Sequence, residues 1–199
     1  MNDLPNDHIE DRPHRHRISV QDYHRMADLG LLSGDVRVEL IEGAIFDKAP
    51  SSARHRAVVR RLDELLRQAV GAQGVVHRHA ALRLGTDSEP VPDLAVLQAR
   101  SGGYHRSAPP TATDTLLVIE VSDATWHYDH DTKLPFYARH GVPEVWLLDL
   151  TSATVHFFRE LTAGHYADET ATENPGVMFL PGLTDVAVDL AAILASPED

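Results

Sequence analysis

The stretch Thr115-Leu116-Leu117-Val118-Ile119-Glu120-Val121-Ser122 decides how this chain folds. It is nearly all apolar and lacks the alternation of a half-solvated strand, so it predicts a central strand covered on both faces. Downstream, residues 129–140 have helical character, stopped by Gly141 and Pro143. Pro135 fits that helix only in a first turn. Residues 144–150 and 154–159 read as paired strands, and residues 186–194 as a short closing helix. Upstream, residues 94–97 form a strand that follows the loop 86–92, and residues 75–84 form another. From Ala53 to Val70 the apolar positions His55, Val59, Leu62, Leu66 and Ala69 recur at steps of three and four, which is helical spacing. Residues 36–41 alternate with period two, and Gly43 turns the chain into Ala44-Ile45-Phe46, predicting a hairpin. Before it, Ser19 with Asp22 three residues on predicts the N-cap of a short helix ended by Gly30 or Gly34. Helices alternating with strands in this order predict an α/β fold, a central mixed sheet flanked by helices, with an N-terminal helix and β-hairpin. The domain is expected over residues 18–195, between a mobile polar arm (1–17) and a tail (196–199).

Composition narrows the chemistry. The chain has 199 residues, 43% of them hydrophobic and 24% charged, enough for one real core. With no cysteine, disulfides, iron–sulfur clusters and thiolate zinc sites are excluded, and any metal must be held by oxygen or imidazole. The first seventeen residues contain no apolar run, and the longest aliphatic stretch falls far short of the roughly 20 residues of a membrane span. A soluble, cytoplasmic protein with no membrane association is expected.

Three polar residues interrupt apolar structure. Glu120 lies near the end of the most apolar strand, where a carboxylate is costly to bury unless a cation or a donor compensates it. Asp93 opens the Leu94 strand, and Lys133 begins the helix after Glu120, one turn beyond Asp129. Two carboxylates and a lysine at the ends of neighbouring strands are the parts required for metal-assisted phosphodiester cleavage. Each also has a plainer reading: Asp93 as a turn cap, Asp129 with Lys133 as a surface ion pair, Glu120 as the partner of a structural arginine.

Several further stretches, taken in order, carry a resemblance: Val38-Glu39-Leu40-Ile41-Glu42-Gly43; Ala49-Pro50-Ser51 with His55; Glu89-Pro90-Val91-Pro92-Asp93-Leu94-Ala95-Val96; Leu117-Val118-Ile119-Glu120-Val121-Ser122; Tyr128-Asp129 with Lys133, Tyr137-Ala138 and Gly141-Val142-Pro143-Glu144-Val145-Trp146. Together they resemble the Uma-two family of restriction endonuclease-like proteins, a branch of the PD-(D/E)XK nuclease superfamily, and the match runs from about Ser19 to the C-terminal strands. The resemblance implies a restriction endonuclease-like core and a Mg²⁺- or Mn²⁺-dependent endonuclease acting on DNA. It implies Asp93 and Glu120 as metal ligands with the carbonyl of Val121 as a third, and Lys133 as the catalytic lysine. The superfamily usually places that lysine two residues after the glutamate; here position 122 is Ser, and Lys133 must reach back from the following helix. Glu39 fits the early acidic position of such nucleases. His55, on the inward face of its helix, either points at a phosphate or water or is a core histidine. Asp129 is expected to orient Lys133 or support the metal ligands, and Tyr137 to pack beside the site. By analogy with nucleases that cut two strands, a homodimer is expected.

The net charge of −12, taken as a sum, disfavours DNA, but it is unevenly spread. Residues 52–83 carry seven arginines against Asp63 and Glu64, whereas residues 160–199 carry eight acids and no Lys or Arg. Arg54, Arg60 and Arg61 could track a phosphate backbone or simply form a solvated helix face. The rival to catalysis is a non-catalytic nucleic-acid-binding or regulatory module on a nuclease fold.

Overall fold

The computed structural model describes residues 15–32, 37–105, 108–191 and 193–194. The expected arm, apart from its last three residues, and the whole expected tail fall outside them, as do Gly34 and Val36. Arg17, at the end of the expected arm, pairs with Asp87 at 2.6 Å.

The chain opens with α1 (Val20–Asp28), whose N-cap Ser19 accepts a hydrogen bond from the amide of Asp22. Gly30, at φ +69°, follows its end. The hairpin of β1 (Val38–Ile41) and β2 (Ala44–Asp47) turns through Glu42 and Gly43, both at positive φ. That is the backbone which a two-residue hairpin turn matched to strand twist requires. Val20 and Tyr23 of α1 pack with Leu40 into a small cluster of their own. α2 (Ala53–Val70) starts at the N-cap Ser52 and buries Val58, Val59, Leu62, Leu66 and Val70 along one stripe.

The main sheet contains β3 (Gly74–Arg78), β4 (Leu94–Gln98), β5 (Thr115–Ser122), β6 (Val145–Asp149), β7 (Thr154–Thr162) and β8 (His165–Thr172), adjacent in that order. Only β5 and β6 are parallel, so the sheet is mixed. Their connection carries a helical run: α3 (Trp126–Tyr128), a π-helical turn (Asp129–Lys133) and α4 (Leu134–Arg139). A parallel pair requires such a crossover. β9 (Val177–Phe179) and β10 (Ala187–Asp189) form a separate ribbon.

All eight residues of β5 are buried, as its composition predicts. Leu117, Ile119 and Val121 face the layer of α2 and the β9–β10 ribbon. Val118 faces the layer that contains Leu134, Phe136 and Tyr137. The period-two alternation therefore aims Glu120 at the second layer. β4 pairs with β5 antiparallel, Leu94 opposite Ile119; one step further along that register, Asp93 comes beside Glu120.

Three local expectations are revised, and a strand is added. β3 ends at Arg78 rather than running to Leu84, because His79 adopts φ +49° and leaves the ladder. The helix expected from Asp129 starts at Trp126, with Pro135 in the first turn of α4. Residues 187–189 are strand, not helix, since Ala187–Asp189 pair with Val177–Phe179. β8 was not anticipated; its exposed, polar residues carry no apolar signal. Among the described residues no helix is long and apolar enough to cross a membrane.

The hairpin turn generates a stability prediction. A Cβ on Gly43 would lie 2.5 Å from Cβ and 2.8 Å from Cα of Arg17. Gly43→Ala should therefore cost about 1–3 kcal/mol, combining positive-φ strain with a backbone clash. Thermal denaturation should show the melting point lowered by several degrees, and an unchanged melting point would refute the assigned packing.

Candidate active site

Four buried polar side chains from four separate segments meet at the end of β5. Glu39 comes from β1, Asp93 from the start of β4, Glu120 from β5 and Lys133 from the π-turn, none more than 5% exposed. The ammonium of Lys133 lies 2.5 Å from Glu120 Oε1 and 3.4 Å from Glu39 Oε2. Lys133 thus reaches back from the crossover to the strand that precedes it. The π-turn has a local cause in part: the Leu134 amide bonds to the carbonyl of Asp129, five residues back, while Pro135 has no N–H to offer the carbonyl of Asp131.

Each carboxylate has further donors. Tyr137 Oη donates to Glu120 Oε1 at 2.6 Å, and the Asp93 amide approaches Glu120 Oε2 at 3.4 Å. Tyr128 Oη donates to Glu39 Oε1 at 3.1 Å, and the Val91 amide donates to Glu39 Oε2 at 3.0 Å. Asp93 Oδ2 accepts from the Val121 amide at 2.9 Å and contacts His55 Nε2 at 3.0 Å. Thr125 Oγ1 donates to Asp129 at 2.6 Å. Such satisfaction is what buried charges demand, since removing one member of a buried pair typically costs about 3–5 kcal/mol.

The two central carboxylates differ in acidity. Burial alone would raise Asp93, yet the His55 hydrogen bond and the Lys48 charge hold it well below the usual carboxylate range. Burial, reinforced by the neighbouring Asp93, pushes Glu120 up to about 7 despite the opposing charge of Lys133. Burial would lower Lys133, but Glu120, Tyr137 and Glu39 hold it well above its ordinary value, so it is an ammonium at neutral pH. Burial also raises Asp129. Neighbouring titratable groups pushed apart in this way are common at functional sites.

These residues border a cleft of about 560 Å³. Its wall carries six carboxylates (Glu39, Asp47, Asp93, Glu120, Asp123 and Asp129) and two lysines, Lys48 and Lys133. Among the described residues, no group of three or more His, Asp and Glu side chains is placed to hold a metal ion. Asp93 and Glu120, with the carbonyl of Val121, are the hard-oxygen donors of this cleft that could hold Mg²⁺ or Mn²⁺, ions that bind through one or two carboxylates and keep several waters.

Of the residues singled out from sequence, Glu39, His55, Asp93, Glu120, Val121, Asp129 and Lys133 all border this cleft. Tyr137 stands behind Glu120, fully buried. Arg54 is half-buried and Arg60 and Arg61 are exposed on α2, outside the cleft wall. Sequence reasoning missed Lys48 and, although Tyr128 is among the residues that carry the resemblance, gave that tyrosine no role. A compositional signal for Lys48 was available: of the 18 Lys and Arg residues only Lys48 and Lys133 are lysines.

A crystal structure described as a putative nuclease belonging to DUF820, from Anabaena variabilis, superposes with a TM-score of 0.68. It is 17% identical and covers 89% of this chain and 98% of its own, a likeness of fold. No curated protein matches the chain significantly. The family model Uma2, described as "Putative restriction endonuclease", matches residues 20–191. With almost the whole described fold inside that match, the chain belongs to the Uma2 family.

Proposed function

We propose that this protein is a divalent-cation-dependent endonuclease that hydrolyses DNA phosphodiester bonds. The observation that carries the reading is the convergence of Asp93, Glu120 and Lys133 in one cleft. The wall charge supports it: even counting His55, where burial opposes but the Asp93 contact raises the affinity for a proton, as a cation beside the two lysines, six carboxylates leave an excess of negative charge. A polyanionic substrate would be repelled unless cations entered with it.

Asp93, Glu120 and the Val121 carbonyl would hold Mg²⁺ or Mn²⁺. Such a cation, when bound, polarises the phosphate and lowers the pKa of a bound water. Lys133 stays protonated and so acts as a hydrogen-bond donor, orienting the attacking water or taking charge that develops on the phosphate oxygens. Glu39 aims that ammonium. Burial would raise its carboxyl, but Lys133 and Lys48 hold it low, so it remains an ionised acceptor. Water adds to phosphorus and one P–O ester bond breaks, leaving a phosphomonoester and a hydroxyl end.

Plasmid nicking with Mg²⁺ or Mn²⁺ provides the direct test. Wild-type protein should cut, EDTA should abolish cutting, and Asp93→Ala should lower the rate by about 100-fold or more. Equal rates for wild type and Asp93→Ala would remove this site from the chemistry. Cation binding that is lost in Glu120→Gln, with no cleavage of any DNA or RNA offered, would support the non-catalytic reading instead.

The Glu120 carboxyl supplies a pH prediction. A proton and a cation compete for it, and the proton stays until the pH rises through about 7. Cation affinity should therefore increase with pH up to that point and level off above it. Melting curves with and without millimolar Mn²⁺ should show a clear stabilisation at about pH 8 and little at about pH 5.5. A pH-independent shift would mean that the cation binds elsewhere.

A further inference from the structure

Both lysines of the chain border the same cleft, although arginine is the chain's usual cation. Their situations differ. Lys133 is 1% exposed and bound to Glu120 and Glu39, so its charge is already matched from within. Lys48, which follows β2, is half-buried. Among the described residues its recorded hydrogen bond is to a neutral group, the carbonyl of Val91 at 2.5 Å, and it makes no ion pair within 4 Å. Its charge nevertheless reaches into the site, where it acts on Glu39, Asp93, Glu120 and His55.

Resting on the nuclease reading above, we propose that Lys48 binds the DNA backbone at this cleft, donating to a non-bridging phosphate oxygen. A compact ammonium on a flexible stem suits this role because it can turn from the Val91 carbonyl to a phosphate without moving the backbone that carries it. The exchange is favourable because a neutral acceptor gives way to a charged one, and charge-assisted bonds are about twice as strong. Lys133 is held in the wall by Glu120 and Glu39 and is 1% exposed, so its one remaining N–H serves the reacting centre and cannot follow the flexible backbone of the DNA.

The competing role for Lys48 is structural. The Val91 peptide is held at both ends, its N–H by Glu39 and its C=O by Lys48, in the Pro90-Val91-Pro92 segment that leads to Asp93. Salt dependence separates the two roles, because a loop clamp contributes no phosphate contact. Binding of a short fluorescein-labelled DNA duplex, with Ca²⁺ in place of Mg²⁺, would be followed by anisotropy over a range of salt concentrations. For Lys48→Met the expected result is about tenfold weaker binding. The slope of log affinity against log salt should also fall by about one contact. Lys48→Arg should restore both, and the melting point should stay close to wild type. An unchanged slope, or weaker binding in step with a large fall in melting point and no change in slope, would overturn the proposal while leaving the nuclease reading intact. Wild-type protein that binds no DNA at all would overturn both.

Discussion

Burial of the Lys133 ammonium is the constraint on which the rest of the site depends. Removing a lysine charge from water costs several kcal/mol, and close carboxylates must offset that cost. Glu120 provides the near partner from the sheet and Glu39 the second from a hairpin that is not part of that sheet. The hairpin is thereby tied to the core through its one buried charge, with Tyr128 and the Val91 amide completing the coordination of Glu39. The small cluster of Val20, Tyr23 and Leu40 holds the hairpin from the other side.

The crossover between the parallel strands meets the same constraint. Asp129, Lys133 and Tyr137 are spaced four residues apart, and the wider π-turn keeps all three directed inward, each buried. π-turns of this kind are frequent at functional sites because they re-aim side chains within a helix. Here the turn lets a lysine distant in sequence from Glu120 complete the constellation, while Ser122, two residues beyond Glu120, is buried and bonds with Thr125.

Much of this arrangement was legible in the residues. The unbroken apolar run of β5 marked the central strand, and the polar interruptions at Glu120 and Asp93 marked the site. Burial forces a carboxylate to have a reason for being in such a strand. Less legible was whatever depended on partners remote in sequence. Lys133 could be grouped with Glu120 as a polar residue opening the next helix, but no spacing rule links Glu39 to them, and only the likeness to a known family connected it. Lys48 escaped notice because a lysine in a loop looks like solvated surface until the fold shows what it borders. The strands β8 and β9–β10 were hidden for a different reason. β8 is largely exposed and β9–β10 is a short ribbon, so neither carries the continuous apolar pattern of a central strand.

The scarcity of lysine has a chemical consequence as well as an electrostatic one. Arginine supplies nearly all of the positive surface and does not react as a nucleophilic amine at neutral pH, whereas the Lys133 amine is sealed beneath its carboxylates. Reagents that acylate or reductively methylate side-chain amines therefore find one target that is not sealed, the half-buried Lys48, and it stands in the wall of the cleft. Covalent labelling of lysine, which on most proteins decorates the surface at random, would here report directly on whether that wall of the cleft is free or covered.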